Sequence, residues 1–182
     1  MSTAIDSVAL LGKLEEQVEK HLHFCIQHLQ NTEEDVLVQP AANGGWSIAQ
    51  CLWHLNSYGH YYLPLIEDKM RTSRLPKSTF VSTWLGRYFI KIMLPESGKK
   101  YKAFKDHVPP EQVNGYAEVA EFIRQQETML RLLKQATHTD MNRVKVPISI
   151  SQLVRLRLGD VFQFIVAHDE RHLQQAARNL SK

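Results

Sequence analysis

The chain has 182 residues, 43% of them apolar and 23% charged, which is room for one well-formed core and little for two. That balance is ordinary for a globular protein and excludes low-complexity and disordered classes. The formal charge of +3 is mild, and Lys and Arg are spread in short pairs such as Lys99-Lys100, without the basic face or reading motif of a nucleic-acid binder.

Ser7 to Gln30 reads as the first helix, with Val8, Leu11, Val18, Leu22, Cys25 and Leu29 on one face. Asn31 to Gly45 breaks the pattern, and Pro40 with Asn43-Gly44-Gly45 marks a loop. Helix two begins sharply at Ser47, because Ser47-Ile48-Ala49-Gln50 fits a capping box. Ile48, Leu52, Leu55 and Tyr62 carry its apolar face, and Pro64 is expected to kink the helix or end its first half.

Residues 71–110 are the least regular. Thr79 to Leu94 reads as an amphipathic helix carrying Phe80, Trp84, Tyr88 and Phe89, bracketed by Pro76, Pro95, Gly98 and Pro109-Pro110. A third long helix is expected over Gly115 to Ala136, with Val119, Ile123, Leu130 and Leu133 inward. Val144 to Ser149 is extended at most, and a last helix spans Leu158 to Leu180, with Val161, Ile165, Ala176 and Leu180 buried. The fold class is therefore all-α: a four-helix bundle in one domain over residues 1–182, with two long connections.

Cys25 and Cys51 fall in helical patterns and have neither disulfide-framework nor zinc-ribbon spacing; buried free thiols are the expectation. The N-terminus has no signal-peptide pattern, and no apolar run approaches the ~20 residues that span a bilayer. A cytoplasmic protein with no membrane partner is expected. Dimerisation through a helix face suits the class, although no stripe singles out an interface.

Among nine histidines, His21, His23, His28, His60, His107 and His138 read as solvated or hydrogen-bonded side chains. His168 and His172 differ. They stand four residues apart on the stripe of Val161 and Ile165, so both rings project from one core-facing side. Burying two imidazoles is costly unless the ring nitrogens find partners, and a metal ion is one such partner. The spacing alone is a weak signal. Asp169 replaces the Glu that a zincin places after its first His, and Arg171 replaces the Glu that an inverzincin places before its second, so metalloprotease chemistry is disfavoured. A catalytic zinc usually has three protein ligands. His54, between Trp53 and Leu55, is the best third candidate, and a core histidine bonded to a backbone carbonyl or water is the alternative.

Two blocks, Gly45-Trp-Ser-Ile-Ala-Gln-Cys-Leu-Trp-His-Leu-Asn56 and His168-Asp-Glu-Arg-His-Leu-Gln-Gln175, resemble the DinB-like superfamily, which includes thiol-dependent S-transferases. The resemblance implies a four-helix bundle whose divalent metal ion, zinc or nickel first and iron or manganese next, is held by His54, His168 and His172. Gln175 shares their helix face and supports the site or is an ordinary polar residue. The implied activity is a metal-dependent small-molecule enzyme of S-transferase or hydrolase type, with a low-molecular-weight thiol as a possible partner. A non-enzymatic metal-binding or stress-related protein is the alternative. The catalytic base is unidentified: Asp169, Glu170 and Tyr58 stand near the histidines in sequence, and a structural or solvated role suits each better. Trp84, Tyr88 and Phe89 have two readings, pocket wall or core, of which core is preferred.

Overall fold

The computed structural model describes residues 3–71, 73, 75–97 and 102–180. Gly98 and the Lys99-Lys100 pair lie outside them. Four long helices form the body: α1 (Ser7–His28), α3 (Ile48–Met70), α5 (Gly115–Ala136) and α6 (Leu158–Leu180), joined by the shorter α2 (Glu34–Val38) and α4 (Trp84–Met93). Both α1 and α3 pack against α5 and α6. Successive long helices α1 and α3 thus sit across the bundle from each other, which is why the link 29–47 must be long. By contrast, α3 and α5 are neighbours, and the link 71–114 is long because it carries the strand Thr79–Phe80 and α4.

Each helix start has a local cause. Asp6 accepts a bond from the Ala9 amide, and Ser47 and Gln50 form the reciprocal capping box. Asn114 caps α5, while Glu34 of α2 accepts from the Gly115 and Tyr116 amides at 2.6 and 3.0 Å. Here the stretch read as a loop after α1 turns out to hold a short helix, because Leu37 is fully buried and Glu34 satisfies two orphan donors of α5.

Other elements differ in extent or partner from what the local pattern alone defines. α3 runs past Pro64 to Met70 without ending there. The helix read from Thr79 starts only at Trp84, since Thr79–Phe80 (β2) pairs with Ile5–Asp6 (β1) and Thr83 becomes the N-cap. The extended piece near residue 146 gains a partner: Lys145–Ile148 (β3) pairs antiparallel with Ser151–Arg157 (β4), with a register shift between Pro147 and Ile148. Val146 and Leu156 face each other, both buried. The hairpin packs over one end of the bundle and leaves the class all-α. On α1, Val8 is 67% exposed, and the buried stripe runs instead through Leu10, Leu11, Leu14, Val18, His21 and Cys25. Ile123 and Leu130 on α5 are half-buried; Phe122, Met129 and Leu132 take the deep positions.

The apolar core falls into two clusters. One holds Leu14, Val18, Tyr58, Tyr62, Met129 and Ile165 among others, and the second holds Cys25, Leu52, Leu55, Phe122, Leu173 and Ala176 among others. Between these positions every long helix places buried polar groups: His21 on α1, His54 and Asn56 on α3, Gln125 and Gln126 on α5, His168 and Asp169 on α6. A polar layer therefore crosses the bundle, and the histidines are its edge towards a cavity.

Candidate metal centre

His54 enters from the second turn of α3, and His168 and His172 enter from successive turns of α6. One ring nitrogen from each lies within 4.8 Å of the other two. The His54 and His168 Nε2 atoms are 3.1 Å apart. In a tetrahedral site with 2.0–2.1 Å bonds, ligand nitrogens stand about 3.4 Å apart, so small ring rotations bring all three to a shared point. His54 and His168 are 3% exposed and His172 is half-buried.

The far side of two rings is tied down. His54 Nδ1–H donates to the His107 carbonyl at 2.6 Å, and His172 Nδ1–H donates to Gln175 Oε1 at 3.0 Å. Each bond selects the tautomer that leaves Nε2 as a lone pair. Gln175 therefore does hold a histidine of the cluster. His107, read from sequence as a plain loop histidine, is buried at 6% exposure. Its ring stacks on Tyr58 at 3.8 Å and its Nδ1 lies 2.8 Å from Ser57 Oγ. No spacing signal could have found it, because the contact is made by a backbone carbonyl 53 residues away.

Burial keeps the cluster uncharged. It pulls the His54 imidazole down to about 4 and, helped by the neighbouring His54, the His172 imidazole down to about 3. His168, most deeply placed, is held well below the ordinary range by burial and by its two neighbours. Three neutral imidazoles with converging lone pairs match the donor set that zinc, nickel and related ions take.

This neutrality has a measurable consequence in the metal-free protein. Below pH 6.5 the unfolded chain binds protons that folded His54 and His172 refuse, so stability falls as pH drops from 6.5 towards 4. Asp169 acts oppositely, since burial raises it to about 6 and the folded chain takes its proton first. At pH 5 the two imidazoles cost about 4 kcal/mol and Asp169 returns about 1 kcal/mol. Calorimetry in chelator is expected to show a melting temperature several degrees lower at pH 5 than at pH 7. A flat or rising trend would mean the rings are not kept neutral.

The cluster forms part of the wall of a cavity of about 1280 Å³. A tight turn at Ala41–Gly45, with Gly44 at φ +72°, delivers Trp46 against His54 and His172 at centroid distances of 4.9 and 5.8 Å. Tyr58 lies edge-on to His54 and His168, and burial pushes its hydroxyl upward, so it stays protonated. Tyr88 and Phe89 line the cavity. The core reading fails for Trp84 and Tyr88, which are 73% and 53% exposed, because α4 packs on α6 through its other side; Phe89 is packed against the core edge.

The other sequence candidates stand apart. Asp169 bonds to Gln126 at 3.0 Å, and Glu170 bonds to His21 at 2.8 Å; neither lines the cavity. His60 is exposed and paired with Glu121. Cys25 and Cys51 are buried free thiols, and burial pushes Cys51 up to about 12 and Cys25 higher, so neither offers a thiolate. Among the described residues no helix is long and apolar enough to cross a membrane.

Comparison with known proteins bears on the fold and the family. No curated protein matches the sequence. A solved structure of YfiT from Bacillus subtilis, described as a probable metal-dependent hydrolase with an unusual four-helix bundle topology, is 15% identical and aligns with a TM-score of 0.58. The alignment covers 93% of this chain and 85% of that one, and at this identity it establishes the shared fold. The family model of the DinB superfamily matches residues 16–176, and the chain belongs to that superfamily.

Proposed function

We propose that the cavity is the active site of a metal-dependent enzyme acting on a small molecule, with a divalent ion held by His54, His168 and His172. The observation that carries this reading is the convergence of three neutral imidazoles, two buried and one half-buried, on the wall of a cavity open enough to admit a ligand. YfiT, described as a probable metal-dependent hydrolase, shares the fold and supports the same reading. The all-nitrogen set suits zinc or nickel best. An ion bound there supplies Lewis acidity and lowers the pKa of a coordinated water or thiol.

This chain's residues supply the rest. The His107 carbonyl and Gln175 hold His54 and His172 in the tautomer with Nε2 inward. Trp46 and Tyr58 cover the rings and keep bulk water off them. Tyr58 lines the cavity with its hydroxyl protonated, and in this reading it would donate a hydrogen bond to charge developing on the substrate.

Hydrolysis is the first reading. Transfer of a thiol is the second, favoured by one feature: among the described residues lining the cavity there is no Asp or Glu to act as general base. Hydrolysis of water-derived nucleophile type benefits from such a base, whereas a thiol deprotonated on binding needs none. The zinc- and nickel-loaded proteins should be assayed on a panel of esters and amides, and on electrophiles with small thiols. Turnover that disappears with chelator is expected on one arm; none on either would count against an enzyme.

A further inference from the structure

The cavity wall changes character along α6. A helix advances ~1.5 Å per residue, so Phe164 lies about 6 Å before His168 along the axis and Arg178 about 9 Å beyond His172. Around Phe164 the wall is apolar: Phe89 and Tyr62 stand 6.3 and 6.0 Å from its ring, with Ile148 and Leu156 also lining the space. Beyond His172 the wall is polar. Gln175, Arg178 and Asn179 line it, and Asn179 Nδ2 donates to the Trp46 carbonyl at 3.0 Å.

Charge is equally one-sided. The charged side chains among the described lining residues are Lys102, Arg171 and Arg178, all cations, in a chain with 19 acidic residues to 22 basic ones. Arg171 donates to the Ile92 and Leu94 carbonyls at 3.3 and 3.4 Å and so ties α6 to the end of α4. Arg178 is exposed at the polar end.

We propose that the ligand of this cavity is a small amphipathic acid, its carboxylate held by Arg178 and its apolar end against Phe164 and Phe89. Its middle then crosses the His54, His168 and His172 cluster, where the reacting bond would lie. The guanidinium fork matches a carboxylate in a charge-assisted pair, and the apolar end gains by leaving water. A cationic ligand would meet three like charges, and a wholly apolar one would leave the Arg178 end unused. The inference rests on the reading of this cavity as the active site.

The test uses the ω-phenyl fatty acids from phenylbutyrate to phenyloctanoate, with their primary amides, titrated calorimetrically into the zinc-loaded and the chelator-treated protein. At the best chain length the acid is expected to bind about tenfold tighter than its amide. Arg178→Gln should bring the acid down to the level of the amide while leaving zinc content and amide affinity as they were. The preference should persist in the chelated protein. An acid preference that survives Arg178→Gln, or vanishes with the metal, would overturn the assignment, because the carboxylate would then be reading the ion. No binding by any member would overturn it too. Zinc content of the untreated protein reports separately on the metal reading, so the two ideas fail independently.

Discussion

His168→Ala and His172→Ala, purified without added metal, are expected to carry less than about a tenth of the metal found in the parent protein, while His60→Ala carries the full amount. Removing one of three ligands eliminates a bond and breaks the preorganised set, a loss of at least about 100-fold in affinity given that even outer partners are worth 10–100-fold. Elemental analysis per folded chain is the measurement. His60 is the proper control because it lies on the same helix as His54 yet is exposed and paired with Glu121. Folding should survive in the two variants, since each loses a buried polar ring whose desolvation the metal-free protein has to bear. Equal metal content in all three would refute the ligand assignment.

Asp160→Ala is expected to lower stability by about 3 kcal/mol, read from urea unfolding with an unchanged slope. Asp160 is fully buried at the start of α6. Its carboxylate accepts bonds from the Ser82 hydroxyl, the Thr83 amide at 3.2 Å and the Thr83 hydroxyl at 2.9 Å. Thr83 in turn caps α4 through the Gly86 amide. One side chain thus pins the crossover helix that carries Tyr88 and Phe89 to the helix that carries His168 and His172. A loss under about 1 kcal/mol would mean that the packing of α4 on α6 holds the crossover helix without the carboxylate.

These predictions separate what is local from what is long-range. Ser47-x-x-Gln50 announces the start of α3 because both capping bonds lie within four residues, and the bounds of α5 and α6 follow from apolar period with Gly115 and Leu158 at their starts. Pro64 does not end α3, because a helix interior can lose one amide bond when the rest of a long apolar face is buried. The strand Ser151–Arg157 is masked in the sequence because Leu153, 94% exposed, stands directly before the inward Val154 and blurs the alternation that Val154, Arg155 and Leu156 carry.

The amino-acid order by itself determined that this chain is a helical bundle, and it set His168 and His172 on one face, since a four-residue step is one helical turn whatever surrounds it. His54 was a candidate, yet its meeting with them depends on α3 and α6 packing side by side across 114 residues of sequence. Only the tertiary structure decided that meeting, the capture of His54 by the His107 carbonyl, the polar layer between the two apolar clusters, and the cationic end of the cavity. All four are contacts between distant segments, and their geometry is set by how faces pack, which no local period records.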